Sequence, residues 1–296
     1  MYKRNIVFAA DAGFLQHLVV AIMSLLENNS GMNIYVINND ISRTHWKKLE
    51  HLFAGKDSTL IDAKIDDSKF EGVILHSYLT KATYYKIFVS DIVKGDKALY
   101  LDADIVVNQR IDDLYNAEIS NAFLAAVDNM EFYNHHDLEM ESSAKYFNAG
   151  VMLINLEYWR THSVKEKVIE FINRKPEVIQ FEDQDGLNSV INGNWLELHP
   201  KYNMHTGLLF KECACDSSFK EAIDDPVIIH YTGSSKPWHF ANNHPYKHLY
   251  WQYLRMTPYK YYIPDDLNIM NILKWIVPKA KKFLLKNSLL RGILSA

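Results

Sequence analysis

The chain has 296 residues, 48% hydrophobic and 23% charged, a balance that suits a folded domain with a sizeable core and excludes a low-complexity chain. A formal net charge of −4 gives no basis for wrapping nucleic acid, and it conceals an uneven distribution. From Leu273 to Ala296 there are six basic residues and no acidic one, so the total of −4 less the tail's +6 leaves −10 on residues 1–272.

Asn5 to Ala10 reads as a buried strand that ends in the acidic turn Asp11-Ala12-Gly13. Its apolar part is too short for a signal-peptide core or a membrane span, and no run of eighteen apolar residues occurs elsewhere, which predicts a cytoplasmic protein. The helix that follows carries Leu15, Leu18, Val19, Ile22 and Leu25 or Leu26 on one side. Ile34 to Ile37 is a second strand, and Ser42 is placed to cap a helix whose apolar face uses Trp46, Leu49 and Leu52. Strand, helix, strand, helix predicts a parallel α/β sheet.

Residues Thr80 to Val89 predict a helix, although Tyr84, Tyr85 and Phe88 also suit a strand. Lys97 to Leu101 is a strand that runs into Asp102-Ala103-Asp104 and then Ile105 to Val107. After a His- and Glu-rich stretch, Phe147 to Asn155 reads as another buried strand. The next helix shows Val164, Val168, Phe171 and Ile172 on one face and is bounded by Pro176. Val227 to Ile229 is a short strand that closes on His230. With no internal repeat or linker, the division is one α/β domain over residues 1–250 and a C-terminal elaboration over 251–296. The two cysteines, Cys213 and Cys215, read as reduced thiols rather than a disulfide framework.

Asp102 and Asp104 carry the chemistry. Alternation along a strand puts side chains two apart on one face. Two carboxylates at the end of a strand repel each other and lose hydration, and a divalent cation between them offsets both costs. Oxygen ligands suit Mg²⁺ or Mn²⁺, and an added imidazole favours Mn²⁺. The C-terminal edge of a parallel sheet is also where ligands bind in this architecture. Asp-x-Asp alone is a weak signal, and Asp112-Asp113 and Asp265-Asp266 read as turns. The apolar runs on both sides set Asp102 and Asp104 apart.

Five ordered blocks then point to a family. They are Ile6 to Asp11, Leu99 to Asp104, Tyr146 to Val151, Asp183-Gln184-Asp185, and His230 to Trp238. Across residues 4–240 they resemble the bacterial retaining galactosyl- and glucosyltransferases of glycosyltransferase family 8, and among them the lipooligosaccharide α-1,4-galactosyltransferase type. The resemblance implies a single GT-A-type, Rossmann-like domain with a mostly parallel central sheet.

It also implies roles. Ala9 and Asp11 would hold uracil and ribose, and Asp102, Asp104 and His230 would ligate Mn²⁺, with Mg²⁺ as the alternative. Asn148 and Asp183 would hydrogen-bond the hexose of a UDP-hexose donor, and Gln184 would lie near its anomeric carbon. Gly233 and Lys236 would grip the diphosphate. Lys86 stands where the family has an arginine that reaches donor sugar and phosphate, and it keeps the charge but not the planar fork. Gly13 stands where an asparagine touches the nucleotide. Residues 66–82 would help cover the donor.

Retention of configuration follows from the resemblance. Gln184 is a poor nucleophile, so front-face substitution is favoured, with the leaving phosphate taking the acceptor's proton. A covalent route through Asp185 stays open. Plainer readings stay open as well. His230 suits a structural role at the end of an apolar strand, Asn148 a turn, and Asp183 and Asp185 the first turn of a helix through Leu187 and Val190. Lys236 suits a solvated surface.

Beyond Asp266 the pattern changes. Ile269, Ile272, Leu273 and Ile276 form an apolar face, Pro278 interrupts it, and Lys279, Lys281, Lys282, Lys286 and Arg291 follow. A basic amphipathic helical segment of this kind predicts peripheral contact with an anionic membrane, against the alternative of packing on the domain. Tyr253, Tyr259, Tyr261 and Tyr262 would lie near the headgroups. The expected acceptor is a saccharide of a lipopolysaccharide, lipooligosaccharide or other surface glycan at the inner face of the cell membrane. The competing functions are a glycogenin-like self-glucosylating enzyme and a nucleotide-sugar-binding protein without turnover.

Overall fold

The computed structural model describes residues 3–66, 68, 81–130, 134–210 and 217–286, with backbone alone at 210 and over 278–286. Cys213, Cys215 and nearly all of the proposed cover segment 66–82 lie outside the described residues. The chain divides into two compact units, Met1–His230 and Tyr231–Ala296.

In the first unit the order is β1 (Arg4–Ala9), α1 (Leu15–Asn28), β2 (Met32–Asn38), α2 (Arg43–Leu52) and β3 (Ser58–Lys64). A 3-10 segment, Lys81–Phe88, leads into α3 (Val89–Ile92), then β4 (Lys97–Leu101), β5 (Ile105–Val107), α4 (Asp112–Tyr115) and β6 (Leu124–Asp128). There follow β7 (Phe147–Asn155), α5 (Leu156–Thr161), α6 (Val164–Arg174), α7 (Glu182–Ile191), β8 (Leu196–Glu197), β9 (Met204–His205), α8 (Ser217–Asp224) and β10 (Ile228–His230). The second unit holds α9 (Lys247–Leu254) and α10 (Ile269–Lys286).

Seven strands form the main sheet in the order β3-β2-β1-β4-β7-β6-β8. The sheet is mostly parallel, as expected, but not purely so: four of its six neighbour pairs are parallel and β7 alone is reversed. Strands β3, β2, β1 and β4 run parallel, but β7 is antiparallel to both β4 and β6. Residues 129–146 join β6 to β7 without a crossover helix among the described residues, and such a connection allows only antiparallel neighbours. The chain lays β2 and β3 to one side of β1, then returns to lay β4 on the other. The crevice at the ends of β1 and β4 is therefore the topological switch point, where α/β sheets bind ligands.

Local chemistry explains the elements. Ile6, Val7 and Phe8 are fully buried, as a central strand requires. Ser42 caps α2 by accepting from His45 N at 3.3 Å, and Trp46, Leu49 and Leu52 are its buried face. Helix α1 is buried almost all round rather than on one side, because β5 covers its other side. Ser24 Oγ accepts from Val107 N at 2.9 Å and Asn28 Nδ2 donates to Val107 O at 3.0 Å. Over Lys81–Phe88 the structure has a 3-10 segment instead of an α-helix, and its Tyr84, Tyr85 and Phe88 are buried against the core.

That core lies between one sheet face and the helices around α6 and α7, with Tyr100, Met152, Trp159, Val168, Phe171, Ile172 and Leu187 at its centre. Gly186 lets α7 seat closely on α6, since a Cβ there would lie 3.0 Å from Ile172 and Val168. Two smaller expectations are corrected. Asp112 and Asp113 open the helical turn α4, where Asp112 accepts from Arg4 Nη1 at 2.7 Å. Helix α10 continues through Pro278, losing the one backbone bond that the missing N–H would make, and a proline in a helix interior costs about 3 kcal/mol.

Candidate active site

The β4 strand ends at Leu101, so Asp102, Ala103 and Asp104 form the turn that leads to β5 rather than a strand face. What brings the carboxylates together is a change of sheet. Asp102 N donates to Gly150 O at 2.8 Å, tying the turn to β7. Strand β5 then leaves the main sheet and pairs antiparallel with β10, in a register that sets Ile105 opposite His230. His230 Nε2 consequently lies 3.3 Å from Asp104 Oδ1 and 3.7 Å from Asp102 Oδ2.

The three side chains offer ligand atoms that all lie within 4.8 Å of one another. Two hard oxygens and one imidazole nitrogen are a donor set for Mn²⁺ or Mg²⁺. Gly150 makes the room, because a Cβ there would overlap the His230 ring and sit 2.8 Å from Asp102 Oδ2. The residues present therefore fit a divalent cation.

Behind the cluster lies a buried cation. Lys86, from the 3-10 segment, places Nζ 3.1 Å from Asp102 Oδ1 and 3.0 Å from Asp183 Oδ2, over the Tyr100 ring. Burial works to lower its pKa, but Asp102 and Asp183 outweigh burial and hold the ammonium protonated. Tyr100 donates to Asp102 Oδ1 at 2.8 Å, and burial followed by the Asp102 charge raises the phenol well above its usual range.

The other side of the site is the first turn of α7. Asp183 is buried and pushed up to about 6, chiefly by desolvation and against the opposing charge of Lys86. Gln184 Oε1 accepts from Ala149 N at 2.9 Å, and its Nε2 donates to Tyr146 Oη at 3.1 Å. Asp185 faces inward. Its Oδ1 accepts from Tyr146 at 2.6 Å, and its Oδ2 accepts from Gln180 N at 2.6 Å and Phe181 N at 2.7 Å. Glu182, between Phe181 and Asp183, sits at φ +44°, and burial, then Asp183 and Asp185, push it up to about 7.

Asn148 lies on β7 with Oδ1 accepting from Gly150 N at 3.1 Å and from Asn203 Nδ2 at 2.8 Å. Ala9 closes β1, and Asp11 Oδ1 caps the turn after it by accepting from Phe14 N at 2.9 Å. At Gly13 a Cβ would come 3.2 Å from that same Asp11 oxygen, so a larger residue there would press on it. Gly233 and Lys236 belong to the second unit. There Gly233 takes φ +85°, and Lys236 Nζ donates to Tyr231 O at 2.7 Å.

A family model described as "Glycosyl transferase family 8" matches residues 5–242. The chain belongs to glycosyltransferase family 8. General stress protein A of Bacillus subtilis is 31% identical over 86% of this chain and 93% of its own length. The Streptococcus pneumoniae glycosyltransferase GlyF is 30% identical over 85% of this chain, which spans only 61% of GlyF. The solved galactosyltransferase LgtC, in complex with donor and acceptor sugar analogs, shares the fold at 24% identity. Its TM-score is 0.75, covering 88% of this chain and 98% of that one.

Within this family 8 site, the first unit brings together Lys86, Asp102, Asp104, Asp183 and His230, with Asn148 and Gln184 at its margin. Sequence reasoning missed Tyr100, Tyr146 and Asn203. Tyr100 stands two residues before Asp102 and was readable from strand alternation up to that turn. Tyr146 and Asn203 reach Asp185 and His230 from 39 and 27 residues away, which no local pattern signals.

Proposed function

We propose that this family 8 glycosyltransferase moves a hexose from UDP-hexose to a hydroxyl of a saccharide or lipid-linked acceptor, with retention at the anomeric carbon. The observation that carries the reading is the cluster of Asp102, Asp104 and His230 backed by the buried Lys86, beside the sheet's switch point. A divalent cation on the three ligands, with Mn²⁺ favoured, would supply charge to neutralise the departing diphosphate.

The residues then divide the work. Ala9 and Asp11, at the end of β1, are assigned to the uracil and ribose, and Asn148 and Asp183 to the hexose. Gly233 supplies a backbone conformation that admits a close phosphate, and Lys236 a cation. Lys86 stays charged and holds Asp183 against Asp102, so the hexose meets a neutralised pair rather than two free carboxylates. Lys86 also replaces the usual arginine with a point charge, which bears on donor affinity.

The geometry favours front-face substitution. Both oxygens of Asp185 are taken by two backbone N–H groups and a phenol, which suits a residue that builds the helix start and not a nucleophile. Asp183 is paired to Lys86, and the Gln184 oxygen is committed to Ala149 N. The bond from the anomeric carbon to the diphosphate oxygen breaks, the bond to the acceptor oxygen forms on the same face, and the hydroxyl proton passes to the diphosphate.

The C-terminal segment 251–296 is assigned to the membrane surface. Tyr261, Ile263, Ile269, Met270, Leu273, Trp275, Ile276 and Val277 are exposed, Ile269 by 75%. An apolar face of this size beside unrelieved lysines suits an anionic leaflet. No helix among the described residues is long and apolar enough to cross a membrane. We place the enzyme peripherally on the inner leaflet, working on a surface-glycan acceptor.

The test is Mn²⁺-dependent UDP release from UDP-galactose, UDP-glucose and related donors, followed by NMR of the product's anomeric proton. One donor turned over with retention supports the reading. Release from no donor, with glycolipid acceptors present, removes it in favour of a binding role.

A further inference from the structure

A buried chain of amide side chains runs from the hexose side of the site to the metal side. Asn203 is fully buried, and Asn148 and His230 are 7% and 3% exposed. The direction of every hydrogen bond in this chain follows from one backbone group. Gly150 N can only donate, and it meets Asn148 at 3.1 Å, so the atom it meets is the carbonyl oxygen Oδ1. The Asn203 atom 2.8 Å from that oxygen must then be the donor Nδ2.

Asn203 Oδ1 is therefore the atom 3.0 Å from His230 Nδ1. An acceptor there requires the proton on Nδ1, so the neutral ring carries its lone pair on Nε2, the nitrogen that faces Asp104 and Asp102. At the other end, both lone pairs of Asn148 Oδ1 are already used. Asn148 can face a ligand only through Nδ2, which now reaches Asn129 Oδ1 at 3.3 Å.

We propose that Asn203 is a positioning residue shared by the metal and the donor sugar. It holds His230 in the tautomer that can ligate a cation, and it turns Asn148 so that the hexose is read by an N–H. The hexose group at Asn148 is thus an acceptor oxygen. Asn203 lies on neither a recognised motif nor a strand end, and its one amide makes both contacts. The proposal rests on the metal and donor reading above.

Two variants separate the two ends. Asn203→Leu removes both bonds while keeping the branch at Cγ. Asn203→Asp keeps an acceptor for His230 Nδ1–H but sets a second oxygen against Asn148 Oδ1. The readouts are Mn²⁺ affinity of the full chain without nucleotide, by electron paramagnetic resonance of free Mn²⁺, and the KM and kcat for UDP-galactose or the donor found active. Asn203→Leu is expected to weaken Mn²⁺ binding by roughly 10–100-fold. Asn203→Asp is expected to hold Mn²⁺ within about threefold, while KM for the donor rises more than kcat falls.

Equal losses of Mn²⁺ affinity in both variants would overturn the proposal, as would wild-type affinity in a folded Asn203→Leu. If Asn203→Leu does not fold, Asn203→Asp decides by the split between Mn²⁺ affinity and KM. A wild type that releases UDP without binding Mn²⁺ would remove the metal reading first, before any variant is made.

Discussion

The chain carries Asp-x-Asp twice in its site, as Asp102-Ala103-Asp104 and as Asp183-Gln184-Asp185, and the two have opposite physics. At the first, Asp104 Oδ1 and Asp102 Oδ2 converge on one imidazole nitrogen, and Asp102 Oδ1 accepts from Tyr100 and pairs with Lys86. At the second, Asp185 is saturated by Tyr146, Gln180 N and Phe181 N, and Asp183 meets a lysine. Two carboxylate oxygens that converge with an imidazole nitrogen on one point suit a cation, whereas carboxylates tied to backbone N–H groups, a phenol and a lysine hold a fold together. The sequence pattern does not distinguish these cases; the groups that fold against it do.

The largest effects should separate the two pairs. Asp104→Asn is expected to cut Mn²⁺-dependent turnover by on the order of a thousandfold, several kcal/mol of charge stabilisation, with melting of the metal-free protein unchanged or slightly raised. Asp185→Ala should instead cost about 1–3 kcal/mol in denaturant unfolding, because it strands two backbone N–H groups and the Tyr146 phenol. If the two variants exchange these behaviours, the comparison breaks.

A pH series sharpens it. Asp183 rises from 3.8 to about 6, first through burial, and Glu182 from 4.5 to about 7 through burial and its acidic neighbours. Folded pKa values above the unfolded ones mean that the folded state keeps these protons longer. Their contribution to metal-free stability therefore falls as pH rises from about 4 through 7 and levels off above. Glu182→Gln should remove the upper part of that slope in thermal melts, and an unchanged slope would contradict the environment assigned to Glu182. The smallest effect is expected from Lys86→Arg, which restores the fork common in the family and should shift donor KM by about tenfold or less, measured by steady-state kinetics.

Much of this architecture was legible. Ser42 announced its helix, the apolar run Phe147 to Ile154 its strand, and the five blocks the family. The failures have physical causes. Strand β6, Leu-Ala-Ala-Val-Asp, carries no bulky β-formers at its centre and is a strand only because β7 and β8 flank it. The reversal at β7 depends on a pairing that periodicity cannot express. Asp102 and Asp104 were placed on a strand face, but a turn and a change of sheet bring them to His230. Asn203 was invisible because both its partners, Asn148 and His230, are brought to it by folding alone.

The most direct test is a calorimetric Mn²⁺ titration of the wild type, Asp104→Asn and Asp185→Asn, without nucleotide. One Mn²⁺ per chain, lost in Asp104→Asn and retained in Asp185→Asn, is the predicted result. Binding that survives in Asp104→Asn, or disappears only in Asp185→Asn, would contradict the assignment of the metal to Asp102, Asp104 and His230.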